Sequence, residues 1–112
     1  MKTKELLKKI SSTLEEKKAT DIKIYNVANL TSLYEYLLIA SSKNTRHVKS
    51  LTDEMLNLLK EEKINHKNIE KDENFTWVVL DCTNVIIHLF YEQTREFYNL
   101  DSLFKDCLEF SI

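Results

Sequence analysis

The chain contains no glycine and no proline among its 112 residues. Glycine allows close backbone approach and positive φ angles. Its absence therefore excludes glycine-rich phosphate loops, dinucleotide-binding fingerprints and the nucleophile elbow of hydrolases. Tight turns must instead use asparagine, aspartate and serine, which tolerate left-handed conformations next best. The sequence predicts such turn positions at five asparagines: Asn26, Asn65, Asn68, Asn74 and Asn84.

The chain also has few cysteines, no long apolar run and little net charge. The two cysteines, Cys82 and Cys107, make a poor disulfide framework, which fits a reducing cytoplasm. No apolar run approaches the roughly 20 residues that span a bilayer, and none follows the lysine-rich start as a secretory signal would. The net charge of −2 gives no general attraction to nucleic acid. We therefore expect a cytoplasmic protein with no membrane partner.

The apolar pattern predicts one domain over residues 1–112, with helices packed on a sheet. Helical spacing of apolar residues indicates helices over 3–18 and 45–62, the second ending at Asn65 in the place usually held by glycine. Shorter helical pieces are expected over 92–97 and 101–108. Strand-like segments lie at 22–26, 34–40, 67–69, 76–81 and 85–90. The predicted class is α/β (α+β), a mixed five-stranded sheet in the order α-β-β-α-β-β-β-α.

The two strongest strands form a predicted hairpin around Asp81-Cys82-Thr83-Asn84. A loop of two or four residues would pair odd positions with even ones, whereas a three-residue loop would change the faces. One predicted face is aliphatic and belongs under the helices: Val78, Leu80, Val85, Ile87 and Leu89. The other mixes aromatic, acidic and imidazole groups, as interface centres do: Trp77, Val79, Asp81, Ile86, His88 and Phe90.

Four segments together resemble the ribosomal silencing factor family, also called Iojap-like proteins. They are DIKIYNV from Asp21, YEYLLIAS from Tyr34 with Glu35 where the family usually has Asp, the Arg46-His47-Val48 helix start, and a C-terminal pattern. That last pattern is the most specific and comprises Trp77, Asp81, Val85, His88, Glu92, Arg95, Tyr98, Leu100 and Leu103. The chain departs from the family at Ser42, Lys71 and Thr83, where glycine is usual, at Asn84 (usually Asp) and at Phe104 (usually Trp).

The resemblance implies a nucleotidyltransferase-like fold without a recognised catalytic site or cofactor. It implies binding to the large ribosomal subunit through its universal protein number fourteen, on the face that meets the small subunit. The bound factor would block subunit joining and damp translation when nutrients are short. Organellar relatives are linked to large-subunit assembly, which is the alternative function.

Nine residues are predicted to contact the partner. Trp77 leads because tryptophan is the residue most enriched in binding hot spots. Asp81 and Glu35 would pair with cations of a basic ribosomal protein. The full set is Trp77, Asp81, His88, Glu92, Arg95, Tyr98, Leu100, Glu35 and Arg46.

Five of these residues also have a plainer interpretation. Without the resemblance Trp77 is equally consistent with core packing, and the resemblance favours the interface. The alternative for Tyr98 is that it packs on the hairpin and only positions the C-terminus. Asp81 is equally consistent with a turn residue. Arg95 and Glu92 lie three residues apart on a helix, so they would pair only with each other.

Positive charge at a helix start and a His–Cys pair raise two further alternatives. Arg46, His47 and Lys49 oppose the helix dipole, which suggests contact with ribosomal RNA or an acidic patch, although a solvated face is the favoured interpretation.

His88, Cys82 and His47 could hold a metal, but their spacing matches no zinc motif, so buried core residues are favoured.

Two other classes of function stay open. The first is a small nucleotidyltransferase-like enzyme in which Glu35 and Asp81 hold a divalent metal. No closely spaced acidic pair or phosphate loop supports it. The second is a homodimer of the free protein, formed through aromatic surface that the partner would otherwise cover.

Overall fold

A computed structural model describes residues 2–110 and shows three helices on a six-stranded mixed sheet. The elements in chain order are α1 Thr3–Glu16, β1 Thr20–Asn26, β2 Tyr36–Ser42, α2 Thr45–Glu61, β3 Glu70–Lys71, β4 Trp77–Asp81, β5 Val85–Tyr91, α3 Glu92–Tyr98, a 3-10 helix Leu100–Phe104 and β6 Leu108–Glu109. The strand order is β3-β4-β5-β2-β1-β6. β2 and β5 run parallel, and the other neighbouring strands run antiparallel.

The mixed α/β class and the element order as far as α3 are confirmed, but the prediction of five strands is wrong. The segment predicted as a helix over 101–108 forms only the 3-10 helix before β6 pairs with Tyr25 and Asn26. A two-residue strand carries no apolar alternation, so its pairing was invisible in the sequence. The weak strand expected over 67–69 likewise lies slightly later, at Glu70–Lys71.

Both long helices form where the apolar spacing predicts them. α1 buries Leu6, Leu7, Ile10 and Leu14, and the Asn44 side chain caps α2 by accepting a 2.8 Å hydrogen bond from the His47 amide. Neither α1 nor α2, nor any other helix between residues 2 and 110, has the length and apolar character needed to cross a membrane.

The predicted turn positions are confirmed at Asn74 and Asn84, but none of the five asparagines takes a left-handed conformation. Within the described chain, positive φ angles occur at other residues: Lys18, Asp21, Lys63, Phe75, Thr83 and Asn99. Lys63 takes the position after α2 that was predicted for Asn65, because the helix ends earlier. A left-handed conformation costs an ordinary residue only about 1–2 kcal/mol, which the packing of a whole helix or strand can override.

The hairpin faces are confirmed. Trp77 pairs with Phe90 and Leu80 with Ile87, and the Cys82 amide donates to the Val85 carbonyl at 2.8 Å. The connecting loop therefore has two residues, and odd positions pair with even ones. The aliphatic face packs under α1 and α2 in the main core. We call the opposite side of the sheet the open face, and its central residues are Tyr25, Leu37, Ile39, Trp77, Val79, Ile86, His88 and Phe90.

Candidate interaction surface

The open face is covered over only part of its area. Leu100, Phe104 and Cys107, from the segment that follows α3, pack over the β1 and β2 side, where Leu37 and Ile39 are buried. Towards β4 the cover ends, and Trp77, Val79 and Ile86 stay half-exposed. Neighbouring strands carry these residues in adjacent rows, so an apolar patch remains open to solvent.

An aromatic cluster lies where β4 begins and β5 ends. It consists of Trp77, His88, Phe90, Phe97 and Tyr98. The Trp77 ring centroid lies 4.8 Å from that of Phe90 and 4.9 Å from that of Tyr98, and Phe97 meets Tyr98 edge-on at 5.1 Å. Tyr98 is 56% exposed and Phe97 81% exposed. Trp77 thus packs within the fold, while the two rings of α3 extend the cluster into solvent.

His88 is the buried polar member of the aromatic cluster. The Trp77 indole Nε1 donates to its Nδ1 at 2.9 Å, and because an indole N–H can only donate, Nδ1 carries no proton. Burial lowers the pKa of His88 to about 4. His88 is therefore neutral near pH 7 and orients the Trp77 ring, so any contact with a partner would be that of an uncharged imidazole.

The candidate metal residues are not brought together. Cys82 belongs to the core under the helices, whereas His88 lies on the open face. His47 is engaged elsewhere, with Nδ1 2.6 Å from Ser42 Oγ and Nε2 2.7 Å from the Lys17 carbonyl. Between residues 2 and 110 there is no group of three His, Cys, Asp or Glu residues placed to hold a metal ion.

Asp81 lies at the opposite end of β4, about 13 Å from Trp77 at the usual rise of a strand. Its carboxylate accepts hydrogen bonds from Tyr34 Oη at 2.7 Å and from the Thr83 amide at 3.2 Å, and Lys67 Nζ lies 3.5 Å away. Burial alone would raise the pKa of Asp81, but these partners outweigh it and the pKa is lowered. The turn interpretation is confirmed by the Thr83 bond, and the carboxylate is ionised at neutral pH.

Glu35 lies at the same end of the sheet as Asp81. Its amide donates to the Asn84 carbonyl at the tip of the hairpin, at 2.9 Å, and its side chain is exposed. The structure therefore gives the open face an aromatic end at Trp77 and an acidic end at Asp81 and Glu35.

Arg95 is built into the fold rather than into the surface. It is 6% exposed, and its Nε and Nη2 bind the two carboxylate oxygens of Asp101 at 3.0 and 2.9 Å. Nη1 also donates to the Asp21 carbonyl at 2.6 Å and to Ser41 Oγ at 3.1 Å. The expected pairing with Glu92 is wrong, because Arg95 pairs with the carboxylates of Asp101, at 2.9 Å, and Asp21, at 3.8 Å. A direct partner contact by Arg95 does not fit this burial, so its place is that of a positioning residue.

The remaining predicted residues differ in position. Glu92 is exposed at the start of α3, and Leu100 is half-buried in the segment covering the open face. Arg46 is exposed in the first turn of α2, which packs on the other side of the sheet. Sequence reasoning missed Phe97 and Tyr34. The adjacent Phe97-Tyr98 pair on a short helix was a signal for the first of these, whereas nothing local linked Tyr34 to Asp81.

Comparisons with known proteins agree with one another. The family model described as "Ribosomal silencing factor during starvation" matches residues 1–112. Ribosomal silencing factor RsfS of Halalkalibacterium halodurans is 27% identical over 106 residues, 95% of this chain and 91% of that protein. The RsfS of Zymomonas mobilis is 32% identical over 98 residues, 88% of this chain and 74% of that protein.

A mitochondrial relative and a solved structure extend the comparison. The mouse protein named "Mitochondrial assembly of ribosomal large subunit protein 1" is 28% identical over 95 residues, 82% of this chain and 42% of that protein. A crystal structure of a Chromobacterium violaceum protein superimposes with a TM-score of 0.88 at 29% identity, covering 93% of this chain and 87% of that one.

Proposed function

Because this chain belongs to the ribosomal silencing factor family, we propose that it binds the large ribosomal subunit and prevents the small subunit from joining it. The proposed contact is with universal protein number fourteen of the large subunit. In this proposal the protein acts in the cytoplasm and damps translation when nutrients are limiting.

The exposed part of the aromatic cluster is the observation that carries this proposal. Phe97 and Tyr98 project from α3 beside the half-exposed patch of Trp77, Val79 and Ile86. Contiguous exposed aromatic and aliphatic groups are typical of protein–protein interfaces, and tryptophan and tyrosine dominate binding hot spots. The rigid backing of Phe90 and His88 holds Trp77 in place before binding, which lowers the entropy cost of association.

The acidic end suits a basic ribosomal protein. A groove of about 440 Å³ lies there, lined by Leu33, Tyr34, Asn65, His66, Lys67, Asp81 and Thr83. Asp81 is ionised, and its Lys67 partner is 80% exposed, so that ion pair is weak enough for an incoming arginine or lysine to replace. Charge complementarity of this kind speeds encounter and fixes the register of two surfaces.

The proposed action is steric and needs no chemistry from the chain. The bacterial relatives are named for silencing and the mouse relative for assembly, none of them for a reaction. The mouse protein's name favours large-subunit assembly as the second candidate function. Both functions would use the same binding surface, and they differ in whether joining of mature subunits is blocked.

Tyr98→Ala is the sharpest single test of the interface. The side chain is 56% exposed, so its loss leaves little cavity, whereas Trp77→Ala would also disturb the packing around Phe90. Leu108→Ala is the matched control, since Leu108 is 77% exposed but pairs with Asn26 in β1, on the helix-covered side of the sheet edge. Affinity for purified large subunits and for isolated protein number fourteen is measured by biolayer interferometry.

We expect Tyr98→Ala to weaken both affinities by at least about tenfold, as loss of a hot-spot aromatic does, and Leu108→Ala to leave both unchanged. Circular dichroism would show the same fold for both variants. Equal binding by Tyr98→Ala and the wild type would show that the aromatic cluster is not the contact surface. Binding to whole subunits but not to isolated protein number fourteen would reject that partner.

A further inference from the structure

Two lysine ammonium groups lie against one aromatic ring, Phe75, near the start of β4. Lys71 Nζ lies 4.4 Å from the Phe75 ring centroid, and Lys49 Nζ lies 5.8 Å from the same centroid. Arg46 precedes Lys49 by three residues in α2, so the two side chains share one face of that helix. We call Arg46, Lys49 and Lys71 the basic edge.

Carboxylates do not neutralise the basic edge. Within residues 2–110, none of its three cations lies within 4 Å of a carboxylate, the distance that defines an ion pair. The nearby Asp72 carboxylate accepts hydrogen bonds from the Thr76 hydroxyl at 2.7 Å and from the Thr76 and Trp77 amides. Glu70 pairs with Val79 and so lies on the open face, away from Lys71.

The fold gains little from placing three cations together. The Phe75 ring attracts each ammonium group, but two ammonium groups on one ring repel each other. Arg46 and Lys49 also lie near the start of α2, whose first turn contains no acidic residue, so their charges oppose the helix dipole. Phe75 itself has a φ of 56°, an uncommon conformation for a bulky residue. The positive charge therefore adds little to the stability of the fold, and the exposed side chains are accessible to an external ligand.

The position of the basic edge identifies that ligand. Phe75 lies two residues before Trp77, and the Tyr91 amide donates to the Thr76 carbonyl between them. The basic edge therefore lies at the same end of the sheet as the aromatic cluster, on the helix-covered side of the edge, since Lys71 pairs with the buried Val78. A protein docked on a ribosomal protein meets the surrounding ribosomal RNA at the rim of its contact. Three unpaired cations are what a phosphate backbone requires there.

We propose that the basic edge binds phosphate groups of ribosomal RNA next to the protein contact. This inference rests on the proposed function and deepens it, because it divides the binding surface into a part that contacts protein and a part that contacts RNA. Phosphate contacts of this kind add affinity and fix orientation without reading sequence.

The test compares two triple variants with equal loss of charge. One carries Arg46→Gln, Lys49→Gln and Lys71→Gln. The control carries Lys8→Gln, Lys18→Gln and Lys105→Gln, three exposed lysines away from the aromatic cluster. Affinity for purified large subunits is measured from low to high potassium chloride, and a photo-crosslinker in place of Lys49 identifies what the basic edge touches.

We expect the basic-edge variant to bind about tenfold more weakly near 0.1 M salt. Its plot of log affinity against log salt should be shallower than that of the wild type by about 2, since each phosphate contact contributes about 0.7 to 0.9 to the slope. The control should match the wild type, and the crosslinker should label ribosomal RNA.

Three results would overturn the inference. Equal affinity and slope for the basic-edge variant and the control, with Tyr98→Ala still impaired, would reject the RNA contact but leave the proposed function standing. Crosslinks to protein alone would assign the basic edge to an acidic protein segment instead. Failure of the wild type itself to bind large subunits would reject the proposed function and, with it, this contact.

Discussion

Replacing Asp101 by asparagine should destabilise the fold far more than an ordinary surface change. Asp101 is the carboxylate partner of the buried Arg95 guanidinium, and it also accepts a 3.2 Å hydrogen bond from Tyr25 Oη. The network joins α3 and the segment that follows it to Asp21 and Ser41 in β1 and β2. This network therefore holds the segment that follows α3 against the open face.

The burial of the pair sets the magnitude. Removing one partner of a buried ion pair costs about 3–5 kcal/mol because the other charge is left uncompensated. Arg95 is 6% exposed, but the Asp101 side chain is 29% exposed, so water can reach the vacated position. We expect a loss of about 2 to 3 kcal/mol for Asp101→Asn, a large part of the 5 to 15 kcal/mol that usually stabilises a small domain.

Urea unfolding followed by far-UV circular dichroism measures this loss. Asp106→Asn is the matched control, because Asp106 is exposed in the same segment and should change stability by less than about 0.5 kcal/mol. A difference below about 0.5 kcal/mol between Asp101→Asn and Asp106→Asn would refute the structural role given to the pair.

The pH dependence gives a second readout of the same pair. Hydrogen bonds from Arg95 hold the pKa of Asp101 below its usual range, against the opposing effect of burial. The folded state therefore releases this proton at a lower pH than the unfolded state. The stabilisation is complete above the unfolded pKa of about 3.9 and is lost as the pH falls through the folded value. Asp101→Asn should flatten the stability profile in that acidic range.

Two further predictions concern the hairpin. The pKa of His88 is about 4 in the folded protein, whereas an unfolded histidine titrates near 6.5. The stability that depends on neutral His88 should therefore be lost as the pH falls from about 6.5 to 4. An NMR titration in which the His88 ring titrates near 6.5 would contradict this. Thr83→Gly should stabilise the protein by about 1 kcal/mol, because Thr83 has a φ of 73° and glycine adopts this conformation without a steric cost. Asn84→Gly is the control and should not stabilise the protein, because Asn84 has a negative φ. Equal urea midpoints for the two variants would show that the turn is unstrained.

The faces of the hairpin were predicted correctly because apolar and polar residues alternate along its strands. Alternation along β4 and β5 set which residues face the helices, and the two-residue loop kept that register. β6 has two residues and no alternation, so only its pairing with β1 reveals it. Most of the left-handed positions lie next to the ends of helices and strands, and Asp21 lies at an irregularity in β1, so residue preference alone could not locate them.

The candidate surface was predictable where it depended on the hairpin. Trp77, His88 and Asp81 share the open face as the register requires. Arg95 was assigned to the surface because it falls on the family pattern of the C-terminal segment. Its partners include Asp21, 74 residues away, and no local pattern reports such a contact.

Subunit joining is the most direct test of the central claim. Purified large subunits are incubated with the protein, small subunits are added, and joined ribosomes are quantified on a sucrose gradient. The account predicts that joining falls as the bound protein approaches one copy per large subunit, and that Tyr98→Ala restores it. Normal joining of large subunits that carry the bound protein would contradict a silencing role and favour assembly.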